Sequence, residues 1–355
     1  MNYASFFTPF QYKGLHLKNR FVMAPMTRMA SPDGIPTQAV ADYYARRAAG
    51  EVGLILTEGT VIDRPASKNE KDIPNFYGAA ALAAWKNVVE HVHAQHGVIA
   101  PQIWHTGDAP GMTGWMPPAP KENPSTMSVS DIEATIAAFA SAAKSAQEAG
   151  FDAIELHGAH AYLIDEFFWD KTNPRTDDYG GKTIKERSRF ATAIIKAIRA
   201  AAGPDLVIIL RLSQWKATDY NAKLVHNPKE LEDWIIPLAE AGVDIFHASQ
   251  RRYWEPEFEG SDLNLAGWIK KVSGQPTITV GSVGLAGDVM GAFSGEGSEV
   301  VTDMRELERR FQRGDFDLVA VGRSILQDPN WVKKVKEEQF DQLKAFDAAS
   351  MGRVY

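Results

Sequence analysis

Along this chain, short apolar runs rich in Val, Ile and Leu alternate with longer stretches whose apolar positions recur with a helical period. The short runs are Phe21–Ala24, Gly53–Thr57, Val98–Ile103, Ala153–His157, Leu206–Leu212, Ile245–Ala248, Thr277–Val280 and Leu318–Val321. They lack the in-and-out alternation of half-exposed strands, as expected of parallel strands covered on both faces. The amphipathic stretches are Thr37–Ala49, Ala79–His96, Val129–Ala149, Ile184–Ala202, Pro228–Ala241, Asp262–Val272, Asp303–Arg313 and Arg323–Lys336. Asn227 before Pro228 reads as a helix N-cap followed by proline at the first helical position. Gly150 and Gly242 stand where helices need a left-handed residue to end. Eight strands alternating with eight helices predict an α/β fold, a single (β/α)8 TIM barrel over residues 1–355 with 337–355 as a C-terminal tail. An open doubly wound sheet uses the same alternation, but no Gly-x-Gly-x-x-Gly follows the first strand. Gly181-Lys182-Thr183 imitates the end of a phosphate loop; Thr176 occupies the place of its first glycine, so the segment reads as a turn.

Two connections are long, Trp104–Ser128 after the third strand and His160–Thr183 after the fourth. Loops beyond about 15 residues are uncommon unless they serve function, and both leave the C-terminal ends of strands, where barrel active sites lie. Composition narrows the classes. Of 355 residues, 45% are hydrophobic and the net charge is −7 with acids and bases interspersed, which argues against a nucleic-acid surface. There is no cysteine, which excludes disulfides, iron–sulfur clusters, thiolate zinc sites and a cysteine nucleophile. No apolar stretch approaches the ~20 residues of a membrane span, and no signal peptide is read at Met1–Phe10. A cytoplasmic protein with no membrane or nucleic-acid partner is the expectation.

The fourth strand ends at His157, followed by His160 and Tyr162. Two imidazoles can donate hydrogen bonds to an oxygen that gains negative charge, and a tyrosine can supply a proton. The plain alternatives are a structural histidine, a packing tyrosine, or a His-x-x-His metal pair lacking a nearby third ligand. His91, His93 and His96 read as a solvated helix end. The seventh strand ends in Gly281-Ser282-Val283-Gly284 and the eighth in Gly322-Arg323, the places where barrels bind phosphate. Arg211 on the fifth strand needs a partner if buried: an anionic ligand edge, or Glu58 or Glu155 in a structural ion pair. Gln102 can hydrogen-bond a flat heterocycle or satisfy backbone.

Taken together, these pieces resemble the Old Yellow Enzyme family of NAD(P)H:flavin oxidoreductases. The resemblance runs from about Phe6 to Val335. It is carried by Asn19-Arg20-Phe21-Val22-Met23-Ala24-Pro25-Met26-Thr27, Thr57-Glu58-Gly59, Gln102-Ile103-Trp104-His105, His157-Gly158-Ala159-His160-Ala161-Tyr162, Asn173-Pro174-Arg175-Thr176-Asp177-Asp178-Tyr179-Gly180-Gly181, Arg211-Leu212-Ser213, Gly281–Gly284 and Val321-Gly322-Arg323. It implies tightly but non-covalently bound FMN, with Pro25, Met26 and Thr27 along the ring, Gly59 and Gln102 at its pyrimidine side, His157 beside it and Arg211 at its N1–C2 edge. Ser282, Gly284, Gly322 and Arg323 would hold the phosphate, and no metal is implied.

It also implies an ene-reductase that takes electrons from NADPH or NADH and passes them to a small electron-poor alkene, an α,β-unsaturated carbonyl or nitro compound. His157 and His160, with Thr27 nearby, bind the substrate oxygen, hydride moves from flavin N5, and Tyr162 gives the proton. The same flavin barrel acting in nitro-compound reduction, denitration or oxidative N-demethylation is the alternative, and a hydrolase using Glu58 and Glu155 a remote one. Monomer and homodimer both stay open. One departure is noted: Ala161 stands where similar proteins have glycine, so a positive backbone angle there would strain the turn that carries Tyr162.

Overall fold

The alternation read from the sequence closes on itself. A computed structural model describes residues 3–355. Two short strands come first, β1 (Phe10–Tyr12) and β2 (Leu15–Leu17). The eight barrel strands follow: β3 (Phe21–Met23), β4 (Leu54–Val61), β5 (Ile99–Trp104), β6 (Ile154–His160), β7 (Ile208–Lys216), β8 (Ile245–Ser249), β9 (Thr277–Val280) and β10 (Leu318–Val321). They close in the order β10-β3-β4-β5-β6-β7-β8-β9, all neighbours parallel. Helices ring the barrel, so nearly every strand position is buried; this is why the strands read as unbroken apolar runs.

The expected caps are present. The Asn227 side chain accepts the Glu230 N–H at 3.0 Å with Pro228 next in the helix. Gly150 ends its helix with φ 89° and Gly242 with φ 121°. Thr183 opens a helix with a capping box to Glu186, which explains the Gly181-Lys182-Thr183 turn. Two predicted helices divide. Ile184–Ala202 becomes Ile184–Arg187 and Arg189–Ala202, parted at Ser188, whose hydroxyl donates to the Ile184 carbonyl at 2.8 Å. Arg323–Lys336 becomes Arg323–Gln327 and Trp331–Lys336, because Pro329 cannot donate within a helix.

The β1–β2 hairpin was not expected. Phe10 pairs with Leu17 across it, and Phe10, Leu15 and Leu17 pack with Val22, Leu54, Val207 and Ile245 from the starts of the barrel strands. The N-terminal end of the barrel is therefore stoppered by apolar side chains. At the other end β4, β6 and β7 run several residues beyond their apolar cores. The β4–β5 register shifts between Leu56 and Gly59, and the β6–β7 register between Gly158 and His160. Such bulges re-aim side chains beside active sites. The connection from 105 to 127 forms no helix or strand, whereas the one after β6 contains the short helix Leu163–Phe168. The C-terminal tail folds back over this face, where the Arg28 guanidinium donates to the Arg353 carbonyl at 3.1 Å. Among the described residues no helix is long and apolar enough to cross a membrane.

Candidate active site

The ends of the strands enclose a cavity of about 530 Å³, within the usual range for small-molecule and cofactor sites. Its wall combines Pro25, Met26 and Thr27 after β3, Gln102 and Trp104 on β5, His157 and His160 on β6 and Arg211 and Trp215 on β7. Ser249 from β8, Gly281 and Ser282 after β9, and Gly322 and Arg323 after β10 complete it, with Met351 and Gly352 from the tail. Of the residues singled out in the sequence, Gly59 and Gly284 stand behind this lining. A side chain at Gly59 would collide with the Trp104 ring, so its smallness lets that ring approach. Gly284 has φ 74° and lies against Trp331.

On one wall the aromatic groups form a tight array. The His157 and His160 rings are 5.2 Å apart at 84°. Tyr162 stands edge-on to Trp104 at 4.6 Å and to His157 at 4.7 Å. His160 stacks on Trp215 at 4.2 Å. Burial holds both imidazoles well below their usual value of 6.5, reinforced by the Arg211 guanidinium, so both are neutral. A neutral imidazole has one N–H, and its position follows from the partners. His157 Nδ1 accepts the Ala159 N–H at 3.4 Å, which puts the His157 proton on Nε2. Ser249 Oγ takes Arg211 Nη2 at 3.5 Å and lies 2.8 Å from His160 Nε2. The serine hydroxyl can accept from Arg211 and donate its own proton to Nε2, the tautomer that leaves the His160 N–H on Nδ1 for a ligand. Burial pushes the Tyr162 hydroxyl up to about 12, so it too keeps its proton.

The opposite region answers the question of what Arg211 pairs with. It is only 8% exposed, and among the described residues its Nε has no partner and no carboxylate bonds it directly. Glu155 instead takes Gln102 Nε2 at 2.8 Å and His247 Nδ1 at 2.6 Å. Orienting the Gln102 amide this way leaves its oxygen as an acceptor at the cavity wall. A buried arginine with spare donors, an amide presenting an acceptor and the apolar Pro25–Met26 shelf suit a flat heterocycle with an electron-rich edge, as the flavin ring has. At the far end Gly281 has φ 145° and Ser282 φ 52°, angles that turn the chain tightly, and Arg323 donates to the Gly287 and Asp288 carbonyls at 2.6 and 2.8 Å. This end has the spare charge and the open backbone that a phosphate requires. The residues thus fit FMN.

The paired-acid arrangement is not formed. Glu58 accepts the Arg28 and Met29 N–H groups at 2.8 and 3.3 Å, Glu155 is committed to Gln102 and His247, and neither lines the cavity. His93 pairs with Asp152 at 3.0 Å on the outer helix layer, away from the cavity. Trp215, Ser249 and the tail residues are wall components that sequence reasoning missed. Trp215 and Ser249 lie just beyond the apolar runs that marked their strands, and the tail reaches the site only through the fold.

A chain with this barrel and this site falls among the flavin-dependent oxidoreductases, and comparison with known proteins agrees. Residues 5–307 match the NADH:flavin oxidoreductase / NADH oxidase family. The chain is 34% identical over 371 residues to the NADH oxidase of Thermoanaerobacter brockii, covering 99% of this chain but 54% of that longer protein. It is 32% identical over 366 residues to 12-oxophytodienoate reductase 7 of Oryza sativa subsp. japonica, covering 94% of this chain and 88% of that protein. Among solved structures it resembles morphinone reductase in complex with tetrahydroNAD, with TM-score 0.78 and 25% identity over 98% of this chain and 94% of the other. The chain belongs to the NADH:flavin oxidoreductase / NADH oxidase family, that of the Old Yellow Enzymes, whose members are FMN-dependent NAD(P)H oxidoreductases.

Proposed function

We propose that this chain reduces the activated C=C bond of α,β-unsaturated carbonyl or nitro compounds at the expense of NADPH or NADH. The observation that carries the reading is the convergence of two neutral imidazoles and an un-ionised phenol on one wall of the cavity. When bound, FMN supplies the redox chemistry, taking a hydride equivalent from the nicotinamide and giving it to the alkene. Arg211, Gln102, Pro25, Met26 and Thr27 would hold its ring, and Ser282, Gly284, Gly322 and Arg323 its phosphate. Gly59 contributes by admitting Trp104.

The protein's own part is binding and proton delivery. The N–H groups of His157 and His160 bind the substrate oxygen, and the bonds strengthen as charge gathers there, which lowers the barrier. Neutral imidazoles suit this task, since they donate without giving up a proton near pH 7. Tyr162 holds its proton across the neutral range and yields it to the strongly basic α-carbon. Trp104 and Trp215 brace the array from both sides.

The purified protein should be yellow and should bleach anaerobically with NADPH or NADH. The bleached protein should regain colour on adding an enone, a maleimide or a nitroalkene. A protein that stays colourless with added FMN overturns the flavin assignment; one that none of these alkenes reoxidises overturns the substrate class.

A further inference from the structure

The turn that presents His160 and Tyr162 is strained. His160 has φ 66° and Ala161 φ 65°, two consecutive non-glycine residues in the left-handed region, which L-residues avoid. Strain of this kind persists only where the surroundings over-determine the backbone. Two side chains hold the amides of this one. The His160 N–H donates to Ser213 Oγ at 3.0 Å, and the Ala161 N–H donates to Asp165 Oδ2 at 2.7 Å. Asp165 is itself gripped by Lys216, whose Nζ lies 2.6 and 2.7 Å from its two oxygens. Both side chains are fully buried, and Lys216 is the register partner of His160 across β6 and β7.

A buried ion pair contributes little net stability compared with apolar residues of the same shape. Its placement at this spot, on the strained amide, points to a different use. We propose that Asp165 and Lys216 are positioning residues: together they hold the Ala161 N–H, and through it the left-handed His160–Ala161 backbone, so that His160 and Tyr162 face one substrate. Asp165 fixes the amide, while Lys216 fixes Asp165 and ties the turn to the end of β7. The pair touches no reacting atom. It lets an alanine occupy a position that glycine would fill without support.

This inference rests on the alkene-reductase reading, and a four-protein cycle separates the two. The proteins are the FMN-loaded wild type, Ala161→Gly, Asp165→Leu/Lys216→Met, and the triple substitution. The double substitution removes both charges and the acceptor together, so no lone charge is left buried. Three quantities are measured: anaerobic flavin reduction by NADPH, alkene turnover, and the dissociation constant of a phenol, followed by the visible absorption change. A phenolate presents the same flat ring and oxyanion to the two imidazoles. In the double variant flavin reduction should stay within about twofold, while alkene turnover falls and phenol binding weakens about tenfold or more. In the Ala161→Gly background the same double substitution should cost less than about threefold, because glycine adopts the 161 angle unaided and Ser213 still holds the His160 amide. Equal losses in both backgrounds, or unchanged turnover and phenol binding, overturn the clamp. If the double variant fails to fold, Asp165→Asn/Lys216→Met takes its place; it keeps an acceptor for the amide but loses the anchor, and its phenol affinity should again fall less when Ala161→Gly is also present. A wild type inert toward alkenes overturns the substrate reading instead, and the phenol titration still tests the clamp.

Discussion

The two ends of this barrel are built on opposite principles. At the base, Phe10, Leu15 and Leu17 meet the strand starts in an apolar layer, with the Arg20 guanidinium over the Phe10 ring and the Lys13–Asp244 ion pair at its rim. At the mouth, Met29, His160 and Ser282 line the cavity with positive φ, Ala161 next to His160 has positive φ too, and charged or polar groups lie buried behind the wall. The base gains by burying area, roughly 1.5–3 kcal/mol per large side chain, and asks nothing of orientation. The mouth spends stability on directed donors. Stability and chemistry are therefore separable here, and substitutions should sort accordingly.

The largest effects are expected at the mouth and on one half-reaction. Tyr162→Phe should lower alkene turnover by about 10²–10⁴ and leave flavin reduction by NADPH or NADH intact, as stopped-flow absorbance of each step would reveal. Equal loss in both steps would remove the tyrosine from proton transfer. His157→Ala should cost about 10²–10³ in the same step, the usual loss for one oxyanion donor. At the base the pattern reverses. Leu15→Ala should lower unfolding stability by about 2–5 kcal/mol in denaturant titration, with turnover per bound flavin unchanged. A turnover loss as large as the stability loss would show that the ends are coupled.

A smaller effect concerns pH. Burial pushes the Glu58 carboxyl up to about 7, beneath the Arg28–Met29 backbone of the mouth. The folded protein therefore holds a proton that the unfolded chain has released above its ordinary value. The contribution is full below about 4.5 and disappears as pH rises through 7, at most ~3 kcal/mol. Glu58→Gln mimics the protonated form, so its melting temperature should move ahead of the wild type between pH 5 and pH 8. A gap that stays constant over that interval contradicts the buried, raised carboxyl.

How much of this was readable in the sequence follows the same division. The eight strands and most helix ends were legible, because burial on both faces and caps such as Asn227 leave local marks. The β1–β2 hairpin was not, since three-residue strands carrying Gln11 and His16 are too short for a period to register. In the site, the His157–Tyr162 motif, Arg211 and the glycines after β9 and β10 stood out by chemistry and by place. Trp215 and Lys216 did not, because β7 continues through Ser213–Lys216, a polar stretch that reads as a loop. Asp165 resembles an ordinary acidic residue in a first helical turn; only its fully buried partner reveals its setting. The tail residues Met351 and Gly352 arrive by folding alone.

The stoppered base also governs traffic. The packed barrel core, closed below by Phe10, Leu15 and Leu17, leaves ligands the cavity mouth as their entrance. On the proposed function, nicotinamide and alkene would share that entrance, and each, in excess, should obstruct the other's entry.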